Sequence, residues 1–217
     1  MDVTRYPSIG EHWIALTRKC LAHGELVYDG DVKLLELTSA AFCISDPSQA
    51  DPLVDKHGKA DMVAAMKKNF IDSEPQFGHK FGYGERIWKG GDASPYASIV
   101  RRLKKKPEAK SAVFSMLQPG DDGGGHVPCV VAMDFKIRNG KVHLHYFARS
   151  QDVYKKSYAD NIAMLVVLER LAHDLGQGVG SISAYIASAH LYLTDVAEAL
   201  QLEPFRDLRD ARDWTSP

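Results

Sequence analysis

Cysteine is scarce: 217 residues carry three, Cys20, Cys43 and Cys129. An odd count without paired spacing argues against a disulfide framework or a zinc ribbon, and fits a reduced, cytoplasmic setting. Long apolar runs are missing too. None approaches the roughly 18 residues that span a bilayer, and the opening MDVTRYPSIGEHW has no signal-peptide core, so no membrane partner is expected. Neither sign of charge is in surplus: 27 Lys and Arg stand against 28 Asp and Glu, a formal net charge of -1. That balance gives no general attraction for nucleic acid or an anionic surface, so an anionic ligand must be held by local charges. There is no repeat of fixed period and no long low-complexity tract. The length suits one domain over residues 1–217.

What is present alternates between helical and strand patterns. IGEHWIALTRKCLAHG spaces Trp13, Ile14, Leu16, Cys20 and Leu21 for one helix face, and Gly24 stops it. VKLLELTSAAFCISDP predicts a strand closed by Asp46 and Pro47. A helix is expected around residues 59–70, interrupted near Gly58. SEPQFGHKFGYGERIW reads as a loop entering an irregular strand, SPYASIVRRLKKKPEA as a short helix, and KSAVFSMLQP as a strand ended by Pro119. RNGK carries Asn139-Gly140, a strong type I′ hairpin signal. The strand after it, VHLHYFARSQD, puts His143, His145, Phe147 and Arg149 on one face. YADNIAMLVVLERLAHDLG is the clearest helix, with Gly176 at its end. GSISAYIASAHLYLTD reads as a strand and VAEALQLEPFRDLRDARDW as a C-terminal helix and tail. Helices intermixed with hairpin-linked strands predict an α+β fold around a mixed sheet.

Four stretches raise chemical questions. GGGHVPCVVAMDFKI sets Cys129 at the lip of an expected strand, after a Gly-rich loop and a proline. A free Cys is commonly a small core residue; as a nucleophile it needs a nearby cation to hold the thiolate. RRLKKKP is either a solvated helix face or a binding patch. His143 and His145 lack a Cys or His partner at metal spacing, so a structural role is expected for them and no metal. FGYGERIW holds glycines without forming a phosphate loop or a dinucleotide fingerprint.

Taken in order, five stretches resemble the thymidylate synthase superfamily: FGYGERIW, KKKPEAKSAVFSMLQP, HVPCVVAMDFKIRNGKVHLHYFARSQD, ADNIAML and SAHLY, over about residues 78–200. The resemblance implies a thymidylate synthase-like mixed β-sheet flanked by helices and a homodimer with sheets packed face to face. It also implies a pyrimidine nucleoside monophosphate as substrate and 5,10-methylenetetrahydrofolate as one-carbon donor. Cys129 becomes the nucleophile, because a thiolate adding at C6 turns C5 into a carbon able to attack an electrophilic methylene. An ordinary thiol pKa of about 8.5 calls for a guanidinium beside it. The resemblance gives Arg149 that task together with phosphate binding, which suits its planar, permanently charged fork. Ser150 is implied as a second phosphate contact, and Asp152 as a base-edge and catalytic-network residue. His190 and Tyr192 are implied at the sugar 3′-hydroxyl, and Tyr83 in proton removal at C5.

The departures from the family pattern are informative. The family reads uracil with an Asn eight residues after the motif Asp; that count from Asp152 lands on Asp160, with Asn161 next. Uracil offers an acceptor at position 4 and a donor at N3, whereas cytosine offers an amino donor and an acceptor. A carboxyl that shares a proton matches the second pattern and an amide the first. Asp160 as reader implies CMP or dCMP and a 5-hydroxymethylase, in which water resolves the exocyclic methylene. Asn161 as reader implies a thymidylate synthase acting on dUMP, and a helix N-cap is the third reading of Asp160. The gapless count favours Asp160. Two arginines that a partner subunit lends to the phosphate appear as Lys110 and Ser111, and the Gly-Asp before Ala-His as Ala187-Ser188. The active-site glutamate has no match, with the helix around Asp61 its expected place and Glu85 an outside candidate. No phosphate arginine stands in HGELVYDGDVK, and RDARDWTSP departs from the family C-terminus. These losses leave open a relative that binds nucleotide without turnover.

Overall fold

A computed structural model describes residues 3–121 and 127–202. Its frame is a seven-stranded mixed sheet: β1 (Thr4–Tyr6), β2 (Glu25–Asp29), β3 (Val32–Ile44), β4 (Val113–Ser115), β5 (Val130–Arg138), β6 (Lys141–Asp152) and β7 (Gly178–Tyr192). The strands lie in the order β1-β3-β7-β6-β5-β4, with β2 hairpinned on β3. The helices are α1 (Ile9–His23), α2 (Pro52–His57), α3 (Ala60–Lys67), α4 (Tyr83–Trp88), α5 (Pro95–Lys105), α6 (Ser157–Leu175) and α7 (Val196–Ala199). The fold is the expected α+β, a mixed sheet flanked by helices.

Local chemistry explains the centre of the sheet. Asn139 and Gly140 both take positive φ, 52° and 72°, as a type I′ turn requires, and so set the β5–β6 register. Along β6, Val142, Leu144, Tyr146 and Ala148 are buried while His145, Phe147 and Arg149 are exposed on the other face. His143, on the exposed face, accepts from the Ser181 N–H at 3.0 Å, a structural contact. β6 and β7 are parallel, so a crossover must join them, and α6 is that crossover. It is apolar almost all round because it is packed on more than one side, and Gly176 closes it in the left-handed region (φ 63°). Trp13 of α1 packs at a tilt against Tyr158 of α6 and donates to Tyr154 O, seating α1 over the turn that follows β6.

Several expectations need correction. FGYGERIW is not an irregular strand; its core is α4. The helix rests on tertiary contacts: Asn69 Oδ1 accepts from Tyr83 N at 2.9 Å, and Trp88 Nε1 donates to Phe70 O at 2.8 Å. Gly84 packs so closely that a Cβ would lie 2.6 Å from Ser73 Oγ. The helix expected around 59–70 ends at Lys67 and widens into a π-turn over Lys68–Asp72, with Ser73 left-handed beyond it. β1 and β2 were not foreseen. Of the expected C-terminal helix, the described part is the four residues of α7. The tail RDARDWTSP and most of the Gly-rich loop before Val127 lie outside the described residues.

Candidate active site

Cys129 sits at the lip of β5, half-buried. Its backbone is clamped from two sides. The N–H groups of Cys129 and Val130 both donate to the Tyr83 hydroxyl, at 3.0 and 3.1 Å, and Cys129 O accepts from Arg149 N at 2.8 Å. The Arg149 side chain wraps the same loop, with Nε on Pro128 O at 3.1 Å and Nη2 on Val127 O at 2.6 Å. Ser150 Oγ joins the two functional groups, donating to Cys129 Sγ at 3.4 Å and accepting from Arg149 Nη1 at 3.3 Å. A register shift between Val130 and Ala132 breaks the regular pleat beside the thiol, and such bulges re-aim side chains next to active sites. The other two cysteines are sealed. Cys20 is fully buried on Leu35 O, its thiol pushed up to about 12, first by burial; Cys43 is buried as well.

Tyr83 connects this lip to the rest of the cleft. Its hydroxyl is raised above the usual phenol range by burial first and then by Cys129, with Asp160 adding to the same effect. Having accepted two backbone N–H groups, the oxygen keeps its own hydrogen for a third partner. The strand register brings the sugar-edge candidates in line. Ser150 pairs with Ser188 and Asp152 with His190 across β6 and β7, and Glu36 of β3 lies opposite His190 on the far side. Asp152 Oδ1 accepts from the N–H groups of Tyr154 and Lys155 at 3.1 and 2.9 Å. Burial raises its carboxyl pKa, the Lys155 bond and His190 opposing. His190 is lowered by burial, with Asp152 pulling the other way. Tyr192, two residues on, meets the His190 ring edge-on at 5.3 Å and is raised first by burial, then by Asp152 and Cys129.

The neighbours Asp160 and Asn161 part company. Asn161 is fully buried: its Nδ2 donates to Ser157 O at 2.8 Å and its Oδ1 accepts from Tyr146 Oη at 3.4 Å. Asp160 is half-buried, with Oδ2 accepting from Gln151 Nε2 at 3.4 Å. Burial pushes its carboxyl up to about 7 against the pull of Lys156 and Gln151, with Asp152 adding to the rise. The N-cap reading of Asp160 is wrong: α6 begins at Ser157 with Lys156 at the cap, and Asp160 is already inside the helix.

Lys110 stands apart. It is exposed in the segment entering β4, and no hydrogen bond or ion pair ties it to the cleft among the described residues. RRLKKK forms the last turns of α5, where Arg101, Arg102, Lys105 and Lys106 line an open basic concavity. Asp61 is exposed on α3, its Oδ1 taken by the Met62 N–H at 2.8 Å. Glu85 is in the first turn of α4. Glu36 and Gln151 were missed. Glu36 is a half-buried carboxylate that accepts from Ser188 Oγ, and its signal was an acid set among Leu34, Leu35 and Leu37. Gln151 carried no signal, being one polar residue in a polar motif.

A half-buried thiol sharing a hydroxyl neighbour with a guanidinium, with titratable groups on three strands and a helix around it, is equipped for covalent nucleophilic catalysis. Comparison then fixes the family. The model described as thymidylate synthase matches residues 41–209, and the chain belongs to that family of pyrimidine C5 one-carbon transferases. A Methanosarcina barkeri protein named "Putative thymidylate synthase" is 26% identical over 195 residues, 88% of this chain and 89% of the relative. A Methanothermobacter marburgensis protein of the same name is 27% identical over 211 residues, 89% of this chain and 94% of the relative. The "Deoxyuridylate hydroxymethyltransferase" of Bacillus phage SP01 is 29% identical over 156 residues, 64% of this chain and 41% of that protein.

Proposed function

We propose that the protein is a cytidylate 5-hydroxymethylase acting on CMP or dCMP. The observation that carries this is the split between residues 160 and 161. The Asn that would read uracil is consumed in the core, and the group left near Tyr83 and the thiol is a carboxyl that burial pushes up to about 7. A neutral carboxyl donates its O–H to the cytosine N3 and accepts an amino hydrogen on its other oxygen. Held in that orientation, its O–H would face the uracil N3–H, two donors opposed.

In this reading Arg149 holds the Cys129 thiolate and the phosphate, with Ser150 between them. Cys129 Sγ would bond to C6 and move the electron pair to C5, which would take the methylene from the donor as the carbon–nitrogen bonds to the folate break and tetrahydrofolate leaves. Tyr83 takes part in removing the C5 proton, Asp152 holds the base edge, and His190 and Tyr192 bind the sugar hydroxyl. Water adds to the exocyclic methylene, and the thiolate leaves as the C5–C6 double bond re-forms. The donor, 5,10-methylenetetrahydrofolate, supplies carbon at the formaldehyde level when bound. Its flat ring system asks for an aromatic shelf. Phe77, 48% exposed with Lys156 Nζ 4.2 Å over its ring, offers one, and Lys156 also acts on the Asp160 carboxyl four residues further along α6.

The relatives' names favour a second reading, methylation or hydroxymethylation of a uridylate, with hydride from the folate in the first case. The two readings separate when the protein is given CMP, dCMP, UMP or dUMP with tetrahydrofolate and formaldehyde and the products are weighed. The expected result is a hydroxymethyl cytidylate with no dihydrofolate. Methylated uridylate with dihydrofolate, or hydroxymethyl uridylate, would sink the cytidylate reading, and no turnover of any nucleotide would favour a silent relative.

The homodimer is part of the same proposal. Phe147 and Tyr185, each 38% exposed, lie with their rings 5.7 Å apart on the outward face of β6 and β7, where a second sheet would cover them. Lys110 and its neighbours on α5 would then be lent to the partner's phosphate. Replacing Phe147 and Tyr185 together by Glu is expected to give monomers in sedimentation velocity; an unchanged mass, or a wild-type monomer, would contradict this pairing.

A further inference from the structure

Gln151 stands between Ser150 and Asp152 with no part in the chemistry above, yet it is buried at 4% exposure. Its Nε2 donates to Asp160 Oδ2 at 3.4 Å, and the buried Tyr146 hydroxyl lies beside the same amide. Tyr146 in turn donates to Asn161 Oδ1, and Asn161 donates to Ser157 O. Donors therefore run one way along the chain. A backbone carbonyl orients Asn161, Asn161 takes the Tyr146 proton, and the Tyr146 oxygen keeps its lone pairs for its neighbour Gln151. Gln151 Oε1 has no partner among the described residues, so the Nε2 bond to Asp160 and the neighbouring Tyr146 oxygen set the amide. The reversed amide would turn a carbonyl oxygen toward the lone pairs of Tyr146.

We infer that Gln151 is a positioning residue for base selection: by donating to Oδ2 of Asp160 it keeps that oxygen an acceptor and steers the carboxyl proton to Oδ1, so that the two oxygens match a base with an amino group at ring position 4 and an acceptor at N3. A carbonyl-type Oδ2 has two lone pairs, one for Gln151 and one for the amino group. The other groups facing Asp160 are Lys156, Asp152, Tyr83, Tyr146 and Tyr158. No hydrogen bond from any of these five to its carboxyl is present among the described contacts. The inference rests on the cytidylate reading and deepens it.

The test is steady-state kinetics with cytidylate and uridylate across pH 6–9, run on wild type, Gln151→Leu, Gln151→Glu and Tyr146→Phe. In Gln151→Leu, kcat/KM for cytidylate is expected to fall on the order of 10–100-fold, mostly through KM, with uridylate changed only a few-fold. Its alkaline limb should move to higher pH, because a donor that favoured the ionised carboxyl is gone. Gln151→Glu should regain cytidylate turnover as pH falls, since its own protonated acid donates again. Tyr146→Phe should move base preference the same way by less. An unchanged base ratio and pH profile in Gln151→Leu, or equal losses on both bases, overturns the inference while the cytidylate reading stands. A wild type that prefers uridylate overturns both.

Discussion

Cys129→Ala is expected to lower turnover by roughly 10³–10⁵-fold, while the nucleotide still binds within a few-fold of wild type. The asymmetry follows from where the groups sit. Arg149 and Ser150 contact the thiol's loop from β6, and the Arg149 guanidinium is fixed by the carbonyls of Val127 and Pro128, which the substitution leaves in place. The binding side therefore survives and the covalent step does not. Cys20→Ala and Cys43→Ala are the controls. Both thiols are buried, and that of Cys20 is pushed up to about 12, so these changes should cost stability through small cavities and leave turnover near wild type. Product formation and nucleotide titration measured on the same preparations decide it. Turnover in Cys129→Ala within about tenfold of wild type would remove the nucleophile from the account.

Sequence made some of this readable and left some hidden, for separable reasons. Features set by one local rule were visible. Asn139-Gly140 fixed a turn, alternation fixed the two faces of β6, and Gly176 marked the end of α6. Features set by distant partners were not. α4 has an unpromising sequence and is helical because Asn69 and Phe70 receive its hydrogen bonds. β1 is three residues long and exists through parallel pairing with Phe42, Cys43 and Ile44, far along the chain. Cys129, Arg149, Ser150 and Tyr83 lie together because one hairpin and one helix start carry them all. The choice between Asp160 and Asn161 could not be made by counting. Successive residues on a helix point about 100° apart, so Asp160 is half-buried while Asn161 is sealed in the core, and only the packing of Tyr146 against α6 says which. Glu36 and Gln151 became visible through what they touch.

Asp160→Asn is expected to invert base preference. An amide carries one donor and one acceptor, as the neutral carboxyl does, but it cannot exchange their places by moving a proton; turned as the family's Asn is, it offers its NH₂ to the uracil O4 and its carbonyl to N3–H. The kcat/KM for cytidylate should fall on the order of 10²–10³-fold and that for uridylate should rise, since a site built around hydrogen-bonding groups rejects the wrong pattern strongly. The pH dependence carries an independent sign. In wild type the proton on Asp160 is lost as pH rises through about 7, so cytidylate turnover should decline on that side. In the Asn variant this limb should vanish. Folding stability should follow the same proton. A carboxyl held above its ordinary 3.8 contributes stability that is complete below about pH 4 and is lost as pH rises through about 7. The variant has no such loss, so its stability relative to wild type should improve from pH 4 to 8 in chemical denaturation, even as its cytidylate activity collapses. A variant that keeps the cytidylate preference, or a stability difference flat across that range, would mean that residue 160 neither reads the base nor holds the displaced proton.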